Sequence, residues 1–238
     1  MKRFLLIVMT VMIPTVAMAK AKESKRVKGI VAQIHRASVD VNSIMATPDK
    51  AIPQSLLSDA LCVGIIPSQV KFAFMFGGTY GRGLLVCRKG GTGDWGASAF
   101  FTLGGGSFGL QIGGSDTSVV LLVMNPAGAR AITSSNVKLG ADASVAAGPV
   151  GRYAGAATTQ YMNTEILTYS RSRGVFAGIS LSGSLVKQDL VDDHAVYGPN
   201  ATPADILIRQ NVHIGPASRE LDRTLDKYSP HGGRSLSL

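Results

Sequence analysis

Short apolar segments interrupted by glycines fill residues 61–124, and this pattern restricts the possible folds more than any other feature. The segments read LCVGIIP, VKFAFMFGGTYGRGLLVCRK, GASAFFTL, SFGLQIGG and SVVLLVM. Apolar or alternating runs bounded by glycine are typical of strands and turns. A second strand-rich block contains VKLGADASVAAGPVGR and TEILTYSRSRGVFAGISLSGSLVKQ. We therefore expect a glycine-rich, mainly antiparallel β core of barrel or sandwich character.

Helical patterns lie at both ends of this core, which makes the expected fold class α+β. Residues 20–50 are predicted to form a basic amphipathic N-terminal helix. PASRELDRTLDKY predicts a C-terminal helix, and residues 229–238 are expected to be a flexible tail. Residues 51–228 contain no evident linker or repeat, so we expect one domain there. The apolar stripe of the N-terminal helix comprises Val27, Ile30, Val31, Ile34, Ser38 and Val41.

The first nineteen residues, MKRFLLIVMTVMIPTVAMA, have the layout of a secretory signal peptide. Lys2 and Arg3 precede an apolar run that is too short to span a bilayer, and Ala17 to Ala19 supply small residues for cleavage. A short N-terminal anchor is the alternative. We predict that residues 1–19 are removed and that the protein is exported to the periplasm or the periplasmic face of the envelope. No cysteine follows the predicted cleavage site, so a lipid anchor is not expected.

Export affects both the expected partners and the two cysteines. The chain has a formal net charge of +9, which favours anionic partners, and export excludes nucleic acid and intracellular NAD. Cys62 and Cys87 lie in predicted strands and would meet an oxidising compartment. We expect a disulfide between them, with two separately buried thiols as the alternative.

GGGSFG, at residues 104–109, matches two catalytic motifs at once. The glycines fit the G-x-G-x-x-G of a dinucleotide-binding turn, and Ser107 fits the G-x-S-x-G of a nucleophile elbow. Both motifs need a helix directly afterwards, whereas LQIGGSDTSVVLLVM is strand-like. We interpret these glycines as structural and expect no cofactor. A hydrolase that depends on Ser107 is the least favoured alternative.

No other catalytic or metal-binding pattern stands out in the sequence. Asp192 and Asp193 precede His194, but we expect a solvated loop there rather than a metal site. The chain is therefore expected not to be an enzyme and to hold no metal. The histidines are scattered, at His35, His194, His213 and His231.

Basic residues carry the strongest chemical signal, and they occur in two groups. The first group begins the N-terminal helix, where cations beside an apolar stripe suit an interfacial helix on an anionic bilayer. The alternative is a stripe that packs on the domain, which buried Ile30 and Ile34 would favour. The second group could hold phosphate, because guanidinium groups near glycine backbone N–H groups suit its oxygens. The two groups are Lys22, Lys25, Arg26 and Lys28, and Arg82, Arg152, Arg171 and Arg173.

Several blocks of the sequence resemble the SYLF domain family in their order. They include LLSDALCVGIIPS, FMFGGTYGRGLLVCR, GGSFGLQIGG, SVAAGPVGR and EILTYSRSRGVFAGISLSG, and the resemblance covers residues 27–228. It implies a lipid-binding module. Eukaryotic SYLF proteins bind phosphoinositide membranes, partly through a basic N-terminal helix, and are associated with actin regulation. Bacterial members resemble envelope proteins and are often lipoproteins.

We therefore expect non-catalytic binding of anionic phospholipid, such as phosphatidylglycerol or cardiolipin, at the bacterial envelope. The helix cations would attract the surface, Val27, Ile30 and Ile34 would insert, and the four arginines would hold head groups. Actin and phosphoinositides are not expected as partners of a chain with a signal peptide and no appended signalling domain. An envelope structural or protein-interaction module without a lipid ligand is the alternative.

Overall fold

Helices flank one curled, mainly antiparallel sheet in the computed structural model, so the predicted α+β class is confirmed. The helices are α1 (Lys2–Met45), α2 (Gln54–Asp59), α3 (Pro126–Ile132), α4 (Leu190–Tyr197) and α5 (Pro216–Tyr228). The strands are β1 (Cys62–Phe74), β2 (Phe76–Arg88), β3 (Trp95–Phe108), β4 (Gly113–Val123), β5 (Asn136–Lys138), β6 (Val145–Ala147), β7 (Ile166–Ser172), β8 (Val175–Gly178) and β9 (Leu185–Gln188). The described residues are 2–46, 51–74, 76–108, 113–150, 164–172 and 175–229, with side chains described from residue 22 except at 71–77, 107–115, 175 and 176.

The nine described strands form a half-barrel in the order β5-β9-β3-β2-β1-β4-β7-β6, and β8 pairs with β7. The four long strands β1 to β4 make up its centre and pair antiparallel, with β1 between β2 and β4. β6 pairs in parallel with β7. The glycine-punctuated segments therefore form the central strands, as the sequence predicts.

Each face of the sheet has its own apolar core, because successive side chains of a strand point to opposite faces. One face packs against α1, α2 and α5, and the buried side chains there include Ile34 and Leu225. The other face packs against α3 and a π-helical turn at Asp205–Arg209, which contributes Leu207. The sheet thus fixes α1 across one face, and this placement creates the candidate site.

The predicted C-terminal helix is present, and the short helices α2 and α3 lie before it in the chain. The segments IPQSLLSDA and PASRELDRTLDKY contain α2 and α5, and Asn125 caps α3 by accepting a hydrogen bond from the Gly128 backbone N–H at 2.9 Å. α1 begins well before the predicted boundary at residue 20 and ends at Met45. Among the described residues, no helix has the length and apolar character needed to cross a membrane.

The predicted flexible tail is structured at its first residue. Ser229 is fully buried, and its carbonyl oxygen accepts a hydrogen bond from Arg88 Nη2 at 2.7 Å. Residues 230–238 lie outside the described part of the chain.

The predicted disulfide between Cys62 and Cys87 is present in the structure. The two residues lie directly opposite each other on β1 and β2, and both are buried. The structure therefore contains the disulfide and not the alternative of two separately buried thiols.

Candidate functional site

An open cleft of about 590 Å³ lies between α1 and the β1–β2 hairpin. We call it the basic cleft, because five cationic side chains line it. Its sheet wall is less polar and carries Val70 and Tyr80, which are 36% and 52% exposed. The lining residues are Lys22, Lys25, Arg26, Gly29, Gln33 and Arg36 from α1, Pro67, Ser68 and Val70 from β1, and Tyr80, Gly81 and Arg82 from β2.

The apolar stripe of α1 packs on the domain. Ile30 and Ile34 are only 3% and 4% exposed and belong to the core beneath the sheet, while Val27 is half-buried. This is the alternative that buried isoleucines were expected to favour. Insertion of Ile30 and Ile34 into a bilayer would require α1 to leave the sheet. Val31 also belongs to the predicted stripe, but it is 47% exposed.

The predicted cations of α1 are not scattered, since three of them share the basic cleft. Lys22 and Lys25 are exposed, and Arg26 is half-buried beside the sheet. Lys28 is also exposed, but it is not part of the cleft lining. The structure therefore separates Lys28 from the other three residues.

A β-bulge shapes the sheet wall of the cleft. The register of β1 against β2 shifts between Ile65 and Ser68, around Pro67. Proline cannot donate a ladder hydrogen bond, and a bulge changes the direction of the side chains that follow it. Ser68 and Val70, just beyond the shift, consequently line the cleft.

The glycines around Arg82 serve packing rather than anion binding. A Cβ atom on Gly83 would lie 2.5 Å from Phe101 Cζ, and one on Gly81 would lie 2.6 Å from Ile66 Cγ2. Both contacts are on the face of the sheet away from α1, where Phe101 and Ile66 are fully buried. Arg82 points the other way and lines the basic cleft.

Two of the cleft arginines bind one buried carboxylate. Arg26 Nη1 donates to Asp192 Oδ1 at 2.8 Å, and Arg82 Nη2 donates to Asp192 Oδ2. Arg82 Nη2 also lies 3.3 Å from Asp189 Oδ2. The Asp192 side chain is 1% exposed, whereas those of Arg26 and Arg82 are 36% and 46% exposed. The predicted solvated loop at Asp192 and Asp193 is therefore wrong, because α4 holds both residues in the interior.

A buried amide on the α1 wall of the cleft lacks a partner. Gln33 is 7% exposed, and its Nε2 atom makes no hydrogen bond within the described structure. The Nε2 atom is itself shut off from the open space, so a ligand would contact it only after the Gln33 side chain turned. The charged donors of the cleft are therefore its five cationic side chains.

The other predicted arginines lie apart from the cleft or outside the described residues. Arg171, on β7, is not in the cleft lining and acts electrostatically on Asp40 of α1. Burial raises the pKa of Asp40, while a hydrogen bond with Ser118 and the charge of Arg171 oppose the rise. Arg152 and Arg173 lie outside the described residues. Of the two arginines in this group that the structure describes, Arg82 lines the cleft and Arg171 does not.

The catalytic alternatives gain no support from the described residues. β3 runs through Gly104 to Ser107 as a strand and β4 begins at Gly113, so the strand-to-helix turn of either motif is not formed at Ser107. The Ser107 side chain itself lies outside the described ones. Within the same limits, no three histidine, cysteine or acidic side chains come together as a metal site requires.

Two buried carboxylates, on α4 and α5, have raised pKa values. Burial raises the pKa of Asp193 to about 7, although its Oδ1 atom accepts a hydrogen bond from the Phe100 backbone N–H at 2.9 Å. On α5, burial and then the charge of Asp226 raise the pKa of Asp222 to about 8. Both groups are therefore protonated in the folded protein at pH values where the unfolded chain is ionised.

These raised pKa values predict that the protein loses stability as the pH rises. Between about pH 4 and pH 8 the folded state binds more protons than the unfolded state, so the free energy of unfolding falls. We expect a lower melting temperature at pH 8 than at pH 5. Asp222→Asn should raise the melting temperature at pH 8 and reduce this difference. Asp59→Asn, on α2, is the charge-matched control, and an equal gain in that variant would contradict the assignment to Asp222.

Eight of the twelve residues that line the cleft were not predicted as site residues from the sequence, among them Gln33 and Arg36 of α1 and Tyr80 of β2. For the two α1 residues a signal exists, because Lys22, Arg26, Gly29, Gln33 and Arg36 follow one another at spacings of three or four. Such spacing places them on one face of a helix. Tyr80 becomes part of the site only through the hairpin and gives no comparable signal.

Comparison with known proteins identifies the family. Residues 104–228, more than half of the chain, match the family model described as "Ysc84: Las17-binding protein actin regulator". Protein YSC84 of Saccharomyces cerevisiae is 31% identical over 199 residues, which cover 82% of this chain and 42% of that protein. SH3 domain-containing YSC84-like protein 1 of Homo sapiens is 30% identical over 193 residues, covering 79% of this chain and 55% of that protein.

LAS seventeen-binding protein 3 of S. cerevisiae, strain YJM789, is 32% identical over 194 residues, which cover 78% of this chain and 42% of that protein. The chain thus spans about half the length of the curated relatives it matches. One of these relatives is named as a binding protein, the family model is described as an actin regulator, and none of the three names is that of an enzyme. The match over more than half of its length shows that the chain belongs to the Ysc84 (SYLF) domain family.

Proposed function

We propose that this protein binds the head group of an anionic phospholipid in the basic cleft, without catalysis, at the periplasmic face of a bacterial envelope. The observation that carries the proposal is the cleft itself. Five cationic side chains line a single open space of about 590 Å³. A phosphate group offers the charge and the acceptor oxygens that these donors need.

The buried isoleucines change the binding mode that the sequence first indicated. α1 supplies cations to a cleft, while Ile30 and Ile34 stay in the core. On the opposite wall, Val70 and Tyr80 offer exposed apolar surface to the glycerol or acyl part of a lipid. A ligand with an anionic head and an apolar body fits both walls better than free phosphate does.

Co-sedimentation of residues 20–238 with vesicles tests the proposal. Wild-type protein should bind vesicles that contain phosphatidylglycerol more tightly than phosphatidylcholine vesicles, and less tightly at high salt. Lys25→Gln should weaken binding about fivefold, since one cation near an anionic surface contributes about 1 kcal/mol. Lys28→Gln removes the same charge from the same helix outside the cleft, so it should change binding less than twofold.

A steric variant distinguishes entry into the cleft from attraction to the surface. A Cβ atom on Gly29 would meet nothing within 4 Å, so a larger side chain there would enter the cleft. Gly29→Met should weaken vesicle binding at least as much as Lys25→Gln, although methionine favours the helix. Equal losses in Lys25→Gln and Lys28→Gln, with none in Gly29→Met, would contradict a head-group site.

A protein partner is the second candidate, and the relatives favour it. One of them is named as a Las17-binding protein, and the family model carries the same description. If wild-type protein binds neither kind of vesicle, the lipid proposal fails. The cleft would then be examined as a site for an acidic protein segment.

A further inference from the structure

We infer that Asp192 is a positioning residue, which holds Arg26 and Arg82 side by side so that both can bind oxygens of one phosphate group. The inference rests on the proposed function, because it concerns the ligand of the basic cleft. Asp192 does not line the cleft, and it was not among the binding residues predicted from the sequence. Its role follows from its contacts.

The contacts of Asp192 divide evenly between two elements. Oδ1 accepts from Arg26 of α1 at 2.8 Å, and Oδ2 accepts from Arg82 of β2. Each guanidinium has five N–H donors, so most of them stay available after these bonds form. With side chains 36% and 46% exposed, both arginines can still reach a ligand in the cleft.

The α4 helix is itself fixed, so Asp192 is a rigid support. Asp189 caps α4 by accepting from the Asp192 backbone N–H at 3.2 Å. Asp193 joins α4 to β3 through the backbone N–H of Phe100. A buried carboxylate with both oxygens on guanidinium groups avoids the large cost of an unpaired buried charge. The two arginines therefore need little reordering when an anion binds.

A positioning role and a purely electrostatic role predict opposite changes in anion binding when the Asp192 carboxylate is removed. If Asp192 acts only through its negative charge, its removal makes the cleft more positive and strengthens anion binding. If it positions Arg26 and Arg82, its removal frees both side chains and weakens binding. A single substitution therefore separates the two.

The test uses the vesicle assay on residues 20–238, with phosphatidylglycerol in phosphatidylcholine as the probe. Asp192→Asn should weaken binding roughly tenfold, the size expected when one charge-assisted hydrogen bond is lost. Asp192→Glu, which restores the carboxylate, should recover part of the affinity. Asp142→Asn also removes one negative charge, but at an exposed position away from the cleft, so it should not weaken binding.

A milder variant covers the case in which Asp192→Asn does not fold. Asp189→Asn loosens only Arg82, and asparagine keeps the cap of α4. It should weaken binding by about threefold, less than a full charge-assisted hydrogen bond. Unchanged or tighter binding by a folded Asp192→Asn, or by Asp189→Asn if only that variant folds, would overturn the inference and leave the proposed function intact. Absence of wild-type binding would overturn both.

Discussion

Replacing Ile34 by alanine is expected to lower the free energy of unfolding by about 3 kcal/mol and to leave vesicle binding by the folded protein nearly unchanged. Ile34 is 4% exposed and belongs to the core that α1, α5 and the sheet share. Removing three buried carbon atoms loses apolar burial and leaves a cavity. Chemical denaturation, read by circular dichroism, measures the loss.

Val31→Ala is the matched control for Ile34→Ala. Val31 lies one turn earlier on α1 and is 47% exposed, so its truncation should change the free energy of unfolding by less than about 0.5 kcal/mol. If Ile34→Ala kept full stability but lost vesicle binding, the result would support the interfacial helix predicted from the sequence. That result would mean that Ile34 contacts lipid rather than the sheet.

The core strands could be predicted because their signals are local. Glycines bound apolar runs in β1 to β4, and these runs are nearly continuous because both faces of the central strands are buried. α4 was missed because its segment LVDDHAVY has adjacent acids and no clear helical stripe. The contacts that stabilise it, from Asp192 to Arg26 and from Asp193 to Phe100, join distant parts of the chain.

The candidate site could be predicted only in part, for the same reason. Cations in the middle of α1 and Arg82 on β2 were recognised separately from composition and local pattern. Their meeting depends on how α1 crosses the sheet, and that depends on which α1 residues are buried. Counting apolar residues selected Val31, whereas the buried face includes the polar Gln33. A periodic pattern gives a face of the helix but not the partner that it meets.

Reducing the Cys62–Cys87 disulfide is expected to lower the free energy of unfolding by about 3 kcal/mol. The two cysteines are 25 residues apart, and a cross-link that closes a loop of this length restricts the unfolded chain by about that amount. Oxidised and reduced wild-type protein share one sequence, so their denaturation curves give the effect directly. The variant with both Cys62→Ala and Cys87→Ala controls for the reductant, because its curve should not respond to it.

Two further measurements concern the same disulfide: its presence in exported protein, and whether vesicle binding by the cleft depends on it. Protein exported with its own N-terminal segment and then unfolded in denaturant should take up no alkylating reagent, by mass spectrometry, until it is reduced. Free thiols in exported protein would contradict the disulfide. The bond joins β1 and β2 at Cys62 and Cys87, whereas the cleft uses residues 67–70 and 80–82, beyond the bulge. Reduced but folded protein should therefore bind vesicles as the oxidised protein does, because the disulfide stabilises the hairpin without shaping the cleft.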